Sequence, residues 1–328
     1  MGFAAATPRW RLGGRGSSAP RRPSTPHSGG TGVVGSSRPR CRQRGVVVGK
    51  RGRREKKTRD VFVGRPFEGL ATEAEWVALR ELVPAATAPL ALADHPDRPV
   101  VLTTVLPMAL PALVKPDGRI FLSVQMPARS GDLSRDLAAV LEDALRVEPG
   151  NYVGAAGLPE PGPRLQDLLA DDGRLDVTVH ATFDYWLDDP RPDDPEVSAS
   201  LEQANSSILP TVAVPSAPAA YWCQVTEKAH LRWVLPEPED TALDALARLQ
   251  AAGDLALGST GRYVGAFRAH GLLAPVWDLP RDPEPAEYEQ PLADLAKRYA
   301  DAVAVTEPLN AAERRARDGL RGRQLTLR

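Results

Sequence analysis

The sequence has few cysteines and no long apolar run. Cys41 and Cys223 are the only two cysteines among 328 residues, which is too few for a disulfide framework or a four-cysteine zinc site. No apolar run approaches the roughly 18 residues that a membrane span requires. We therefore predict a protein of a reducing compartment, with the cytoplasm as its location, no metal ion and no membrane partner.

Signature motifs of several large enzyme classes are also missing. The sequence contains no G-x-x-x-x-G-K-[ST], no G-x-S-x-G and no H-E-x-x-H, which removes the common phosphate loop, the nucleophile elbow and the zincin helix. The glycines within 258–267 have the wrong spacing for a dinucleotide loop and indicate a turn or a bulge. We predict no catalytic residue and no cofactor. Enzymatic activity stays an open question, and binding without catalysis is the favoured interpretation.

Acidic residues are absent from the start of the chain. Residues 1–54 contain no Asp or Glu, and residues 1–60 hold 16 of the 41 Lys and Arg but only two of the 42 acids. The rest of the chain has 25 basic and 40 acidic residues. A net charge of −1 therefore conceals a basic segment joined to an acidic body, and such a segment is attracted to polyanions or to the body itself.

The positive charge is densest just before the first predicted strand. Residues 49–59, here called the basic arm, contain seven basic residues and one acid, Glu55. Side chains of this type neutralise phosphates with little sequence preference and with an affinity that falls steeply with salt. We predict that the arm binds RNA, the ribosome or another polyanion. Its basic residues are Lys50, Arg51, Arg53, Arg54, Lys56, Lys57 and Arg59.

Residues 1–60 are predicted to be disordered. Their Arg, Gly, Ser and Pro residues show no helical or strand period, and they supply too little apolar area to offset the entropy of ordering. No apolar stretch of a signal peptide follows the early arginines, whereas the acid-poor, Arg- and Ser-rich composition also matches a transit peptide. The favoured hypothesis is a translation start at Val46, Val47 or Val48, with residues 1–47 an untranslated leader.

The chain from Val61 onward alternates helical and strand patterns, which predicts an α+β protein with mixed or antiparallel sheets. Thr72 is the expected cap of the first helix, and Gly253 the end of a later one. Helices are predicted over 73–82, 132–145, 164–169, 198–209, 240–253, 290–304 and 311–318, and strands over 100–106, 119–125, 174–180, 219–225, 230–235, 262–267 and 274–277.

The order of these elements repeats. Twice, a helix is followed by a Pro-containing extended segment, two strands and a second helix. This predicts two similar helix, β-hairpin, helix units, over 61–160 and 161–285, with the last helices in 286–328. An old duplication is one explanation, and chance recurrence of a common element order is the other.

Four side chains are candidates for a ligand site between the two units. His230 and Arg232 lie in an aromatic predicted strand, and Arg268 and His270 lie near the last strands. If these side chains share a cleft, the protein is a small-ligand binder or an enzyme. Cys223 lies seven residues before His230, so a thiolate and imidazole pair is conceivable, although a cysteine in an aromatic strand is more typical of packing.

The C-terminal segment is a second basic region. Residues 311–328 contain six arginines and two acids. Asn310 and Glu313 have the spacing of a capping box, which predicts a helix start. This helix could contact an acidic partner or the acidic body, or it could be a solvated helix end.

Nine stretches between 49 and 328 together resemble a family from high-GC actinobacteria that has only a domain-of-unknown-function label. The resemblance covers nearly all of the predicted ordered chain and implies no known activity. Members of the family begin near a Met-Gly-Lys and a basic run, which supports a start near Val48. Some relatives have a SEC-C-motif or SecA-like label, but this chain lacks the Cys-rich motif and the phosphate loop that those labels imply. The stretches are KKTRDVFVGRPFEGL, WVALRELVPAATAPL, ARSGDLSRDLAA, RLQDLL, DVTVH, LEQANSSILPT, KAHLRWVLP, FRAHGLLAPVWDL and ERRARDGLRGRQLTLR.

Overall fold

Within the residues that the structure describes, two six-stranded sheets and seven α-helices form the framework of the fold. The computed structural model describes residues 62–154, 159, 161–188 and 194–325, all of which belong to one structural unit. Its helices and mixed sheets confirm the predicted α+β class. The predicted disordered segment, the leader and the basic arm lie outside the described residues.

The first sheet is built from short strands. Its spatial order is β5-β3-β4-β2-β1-β6, and every neighbouring pair is antiparallel except β2 and β4, which are parallel. Residues 115–118 form the turn that joins β3 to β4, and the prediction missed β3 between the strands predicted over 100–106 and 119–125. The strands are β1 (Ala86–Leu90), β2 (Val100–Thr103), β3 (Ala112–Val114), β4 (Ile120–Ser123), β5 (Tyr152–Val153) and β6 (Thr178–Val179).

The second sheet has longer strands at its centre. Its order is β12-β10-β11-β9-β8-β7, and β10 with β12 is its one parallel pair within the described residues. The strands are β7 (Thr211–Ala213), β8 (Ala220–Val225), β9 (Lys228–Trp233), β10 (Arg262–Ala269), β11 (Leu272–Leu279) and β12 (Gln324–Leu325).

Three helix ends show the usual capping chemistry. The Asp132 carboxylate accepts the N–H of Ser134 at the start of α2, Asn310 and Glu313 form a capping box at α7, and α5 ends at Gly253 in the left-handed region. The expected Thr72 cap is wrong, because its hydroxyl accepts the N–H of Leu175 instead. The helices are α1 (Glu73–Glu81), α2 (Leu133–Ala144), α3 (Leu165–Leu168), α4 (Pro195–Asn205), α5 (Glu239–Ala252), α6 (Glu289–Val303) and α7 (Ala311–Arg321). Within the described residues, none is long and apolar enough to cross a membrane.

Helix α1 contacts both sheets. Trp76 is fully buried, and its indole N–H donates to the carbonyl of Gly173 at 2.9 Å on the side of the first sheet. Glu75 faces the second sheet, where its carboxylate accepts the N–H of Ala219 at 2.7 Å and the hydroxyl of Tyr221 at 2.5 Å. One apolar core therefore runs from the first sheet through α1 to one face of the second sheet.

The opposite face of the second sheet packs against α5, α6 and α7 in a separate apolar core. Successive residues of a strand point to opposite faces, so Tyr221 contributes to the first core and Trp222 to the second. Three tryptophans, Trp222, Trp233 and Trp277, are buried in this second core. The second sheet is therefore covered by apolar contacts on both faces over much of its area.

We call the first sheet with the helices packed on it the first half, and the second sheet with its helices the second half. Both halves contain paired strands, but the segments that connect the pairs differ. In each half two antiparallel pairs lie side by side, with β2 beside β4 in one sheet and β9 beside β11 in the other. The pair β2 and β4 is parallel, whereas β9 and β11 are antiparallel. A short 3-10 helix, Pro107–Ala109, lies between the two pairs of the first sheet, and a long α-helix, α5, lies between those of the second. The duplication and the boundaries near 160 and 285 stay predictions.

Candidate functional site

The four candidate ligand residues do not meet in one pocket. His230 and Arg232 are two residues apart on β9 and therefore share a face of the second sheet. Arg268 pairs across β10 and β11 with Leu273, whose side chain lies in the second core on the opposite face. There Arg268 forms an ion pair with Glu239 at the start of α5. The expectation of a shared site for all four is wrong, since the sheet itself separates Arg268 from His230 and Arg232.

His270 occupies a turn rather than a cleft. His270 and Gly271 connect β10 to β11 with φ values of 48° and 82°, the pattern of a two-residue type I′ hairpin. The imidazole Nε2 lies 2.8 Å from the Glu81 carboxylate of α1, and its ring lies edge-on to Phe67 at 5.7 Å. A Cβ at Gly271 would lie 2.8 Å from the Cβ of Arg65. This turn therefore holds the end of the second sheet against α1. A glycine between two apolar strand patterns is the sequence feature that indicates such a hairpin.

His230 belongs to a polar row that crosses neighbouring strands. The register places Cys223 opposite His230, His230 opposite Asp278, and Asp278 opposite Arg262. The prediction missed Asp278, although alternation of polar residues at 228, 230 and 232 indicated a polar face on β9. We call Asp278, together with Lys228, His230, Arg232 and Arg262, the Asp278 cluster.

One carboxylate in this cluster faces several nitrogen atoms. The Asp278 oxygens lie 2.8 Å from Nζ of Lys228, 3.4 Å from Nη2 of Arg262 and 3.8 Å from Nδ1 of His230. Exposure on this face rises from Arg232 towards the start of β9. Arg232 is 8% exposed, and the side chains of His230 and Lys228 are 23% and 57% exposed. The cluster therefore lies where this face of the sheet emerges from the core, with an excess of positive charge.

The Cys223 thiol is not set up as a nucleophile. Cys223 is 1% exposed, and burial raises the pKa of its thiol despite the opposing effect of Arg232. Burial and the nearby Arg232 lower the pKa of His230, with Asp278 acting in the other direction. Both groups are thus held neutral near pH 7, whereas nucleophilic cysteines need a thiolate. The chemistry that this cluster supports is the binding of an anion by its cations.

The C-terminal helix presents a second group of cations. Leu320 anchors α7 in the second core, and Arg317 contacts Asp240 at 2.7 Å and Asp244 at 2.5 Å on α5. The side chains of Arg315, Arg321 and Arg323 are exposed and form no ion pair or hydrogen bond with the described part of the chain. Arg315 and Arg321 belong to α7, and Arg323 follows it. We call these three residues the C-terminal arginines.

The surface of α7 beside these residues is open. Gly319 lies between Arg315 and Arg321 in the sequence of α7, and a Cβ at Gly319 would meet no atom within 4 Å. Arg317 holds α7 to α5 through its contacts with Asp240 and Asp244. The C-terminal arginines are therefore accessible positive groups on a helix whose position is fixed.

The Arg129 to Asp132 stretch is a structural element. The N–H groups of Arg129 and Ser130 donate to the buried Asp136 carboxylate at 2.7 and 3.0 Å, and Asp132 both caps α2 and pairs with Arg164 at 2.7 Å. Its observed roles are to cap α2 and to connect α2 with the residue before α3. Across the described residues, no group of three or more His, Cys, Asp and Glu side chains could hold a metal ion.

Comparison with known proteins gives the chain a family but no activity. No curated protein matches the sequence, and no solved structure matches it either. Residues 66–328, which is most of the chain and nearly all of its described part, match one family profile. The chain belongs to that family, described as a family of unknown function, DUF5926.

Proposed function

We propose that the protein binds a polyanion without catalysis, and that the polyanion is RNA, free or in the ribosome. The observation that supports this best is the set of C-terminal arginines, whose exposed guanidinium groups form no ion pair within the described residues and belong to an otherwise acidic body. Residues 61–310 contain 19 basic and 38 acidic residues, whereas residues 311–328 contain six arginines and two acids. The basic arm supplies the second contact, and a cytoplasmic location goes with this proposal.

The physical basis is phosphate neutralisation. Each guanidinium that pairs with a phosphate releases a condensed counterion, so the logarithm of affinity falls linearly with the logarithm of salt concentration. Guanidinium groups bind phosphate in a bidentate manner, which favours arginine on such a surface. The acidic body opposes non-specific attachment elsewhere, so binding should be confined to the arm and α7 and should show little sequence preference.

RNA binding across a salt series tests the proposal. Residues 48–328 and 61–328 are compared for binding to single-stranded and duplex RNA, with ribosome co-sedimentation alongside. We expect the shorter form to bind more weakly and with a shallower salt slope. Replacing Arg315, Arg321 and Arg323 together by Ala in either form should reduce the slope by about two to three, since each phosphate contact contributes about 0.7 to 0.9.

A matched variant separates the α7 surface from general charge. Arg146, Arg174 and Arg281 are exposed on other parts of the body, so their joint replacement by Ala changes net charge by the same amount. This control should leave the slope unchanged. Equal losses for both triple variants would contradict a specific role for α7, and equal binding by the two chain lengths would contradict a role for the arm.

The Asp278 cluster supports a second candidate function, the binding of a small anionic ligand. The observation that favours it is the arrangement of Lys228, His230 and Arg262 around one carboxylate, with Arg232 two residues from His230 on the same partly covered face. Inorganic phosphate and a nucleoside monophosphate are suitable probes, with residues 61–328 used to leave out the arm. Saturable chemical-shift changes at His230 that a Lys228→Ala, Arg262→Ala variant abolishes would support this site. Shifts that persist in that variant would exclude it.

A further inference from the structure

The first half contains a cavity. Its lining residues are distant in sequence from the Asp278 cluster and from Arg315, Arg321 and Arg323. Its volume is about 320 Å³, which is within the range of small-molecule sites. Three elements enclose it, namely the loop between β1 and β2, the C-terminal half of α2, and the end of α3. The lining residues are Leu92, Asp94, His95, Leu141, Glu142, Leu145, Arg146 and Leu168.

The floor of the cavity is apolar and fixed. Leu141 is fully buried and Leu92 is 3% exposed, and Leu145 and Leu168 pack against the same core. The loop that carries Leu92 is tied to α3, because the N–H of Ala93 donates to the carbonyl of Leu168 at 3.0 Å. This hydrogen bond fixes the loop against α3, and four leucines form the apolar floor of the cavity.

The rim of the cavity carries unpaired negative charge. Asp94 is exposed and Glu142 is half-buried, and neither carboxylate forms an ion pair or a side-chain hydrogen bond with the residues that the structure describes. The cation on the rim, Arg146, is already in contact with Asp143 at 3.2 Å. An apolar floor beneath two available carboxylates is complementary to a molecule with an apolar body and one positive end.

We propose that this cavity binds a small organic amine, with its alkyl or aryl-alkyl part on the leucines and its ammonium group between Asp94 and Glu142. The site is independent of the polyanion proposal, because it uses neither the arm nor α7 and selects the opposite charge. Asp94 and Glu142 determine specificity for the cation, and Leu145 and Leu168, which are only partly buried, supply most of the contact area.

The test compares three probes of equal length, n-hexylamine, n-hexanol and hexanoate, by NMR titration of residues 61–328. Hexylamine should shift the signals of Leu92, Leu141, Leu145 and Leu168 and saturate, with an affinity at least about fivefold above that of hexanol, since an ion pair at a partly exposed site adds to the apolar contact. Hexanoate should bind most weakly. Affinity should also rise from butylamine to hexylamine as the apolar area grows.

Variants assign the effect to the cavity. Asp94→Asn with Glu142→Gln should reduce hexylamine affinity to the level of hexanol, and Leu145→Trp should fill the space and abolish binding of both. Asp97→Asn, an exposed residue of the same loop that does not line the cavity, should bind like the unchanged protein. The double amide variant preserves shape, so it remains informative if Leu145→Trp fails to fold.

Two results would overturn the inference. Equal affinity for hexylamine and hexanol would show that the carboxylates do not select a cation. Shifts that never saturate, or that lie away from the four leucines, would show that the cavity does not bind an amine.

Discussion

The two sheets are stabilised by different kinds of contact. Eight of the nine buried polar or charged residues among those described belong to the first half, and Arg232 is the ninth. The second half instead buries three tryptophans in one apolar core. The eight residues of the first half are Glu73, Thr103, Thr104, Lys115, Ser123, Asp132, Ser134 and Asp136.

Strand length explains part of the difference. The strands of the first sheet have two to five residues, so many backbone groups near their ends lack ladder partners and need side chains. Thr104 shows this, because its hydroxyl donates to the carbonyl of Pro84 at 2.9 Å and Ser123 donates to the carbonyl of Thr104 at 3.1 Å. The central strands of the second sheet have six to eight residues, and their ladders satisfy the backbone directly.

The largest expected effect is in the second core. Trp277 is fully buried, packs near Trp233 and Tyr263, and donates its indole N–H to the carbonyl of Leu255 at 2.8 Å. Trp277→Ala should lower the free energy of unfolding by about 3 to 5 kcal/mol, because it leaves a large cavity and an unsatisfied carbonyl. Urea denaturation measures this, and Trp277→Phe should cost clearly less. Equal costs would show that the core collapses around the site.

In the first half, we expect the largest loss of stability when the Asp136 carboxylate is removed as a hydrogen-bond acceptor. Asp136 is 2% exposed, and its carboxylate accepts the N–H groups of Arg129 and Ser130. Asp136→Ala should lower the free energy of unfolding by about 2 to 3 kcal/mol, because both donors lose their partner in a buried place. Asp136→Asn keeps one acceptor oxygen and should cost less. If Ala and Asn cost the same, packing rather than hydrogen bonding is the reason.

A smaller effect is expected where the halves meet. Tyr221→Phe removes the hydroxyl that donates to Glu75 at 2.5 Å while the ring stays in the core. Burial and the Glu75 charge both raise the pKa of Tyr221, so the hydroxyl remains a donor at all ordinary pH values. The free energy of unfolding should fall by about 1 to 2 kcal/mol. Because Ala219 still donates to Glu75, a much larger loss would indicate that the carboxylate needs both donors.

The smallest expected effect is on the loss of stability at acid pH. Burial lowers the pKa of His180 in the first half and of His230 in the second. Folding therefore favours the neutral imidazoles, and their stabilising contribution is present above the unfolded pKa of about 6.5 and is lost as pH falls below it. His230→Gln should flatten this loss, measured by urea denaturation from pH 7 to pH 5, and His180→Gln should flatten it further. An unchanged pH dependence in the double variant would assign the acid sensitivity to other groups.

Element types could be predicted because the apolar periods were strong. The α2, α5 and α7 helices and the β8 and β9 strands were found with their caps or alternation. The β3 strand was missed because a three-residue strand has too few residues to show a period. The meeting of Asp278 with His230 could not be predicted, since it depends on which strand lies beside β9, a contact between residues 48 positions apart.

The shared position of α1 has a consequence for synthesis of the chain. The apolar residues of the second sheet that complete its core, such as Val276, leave the ribosome about 200 residues after the helix itself. At usual elongation rates that delay is roughly 10 to 40 seconds. During this interval the nascent first half exposes a large apolar surface next to its unsatisfied Glu75, so it is the stage at which chaperone protection should matter most for yield.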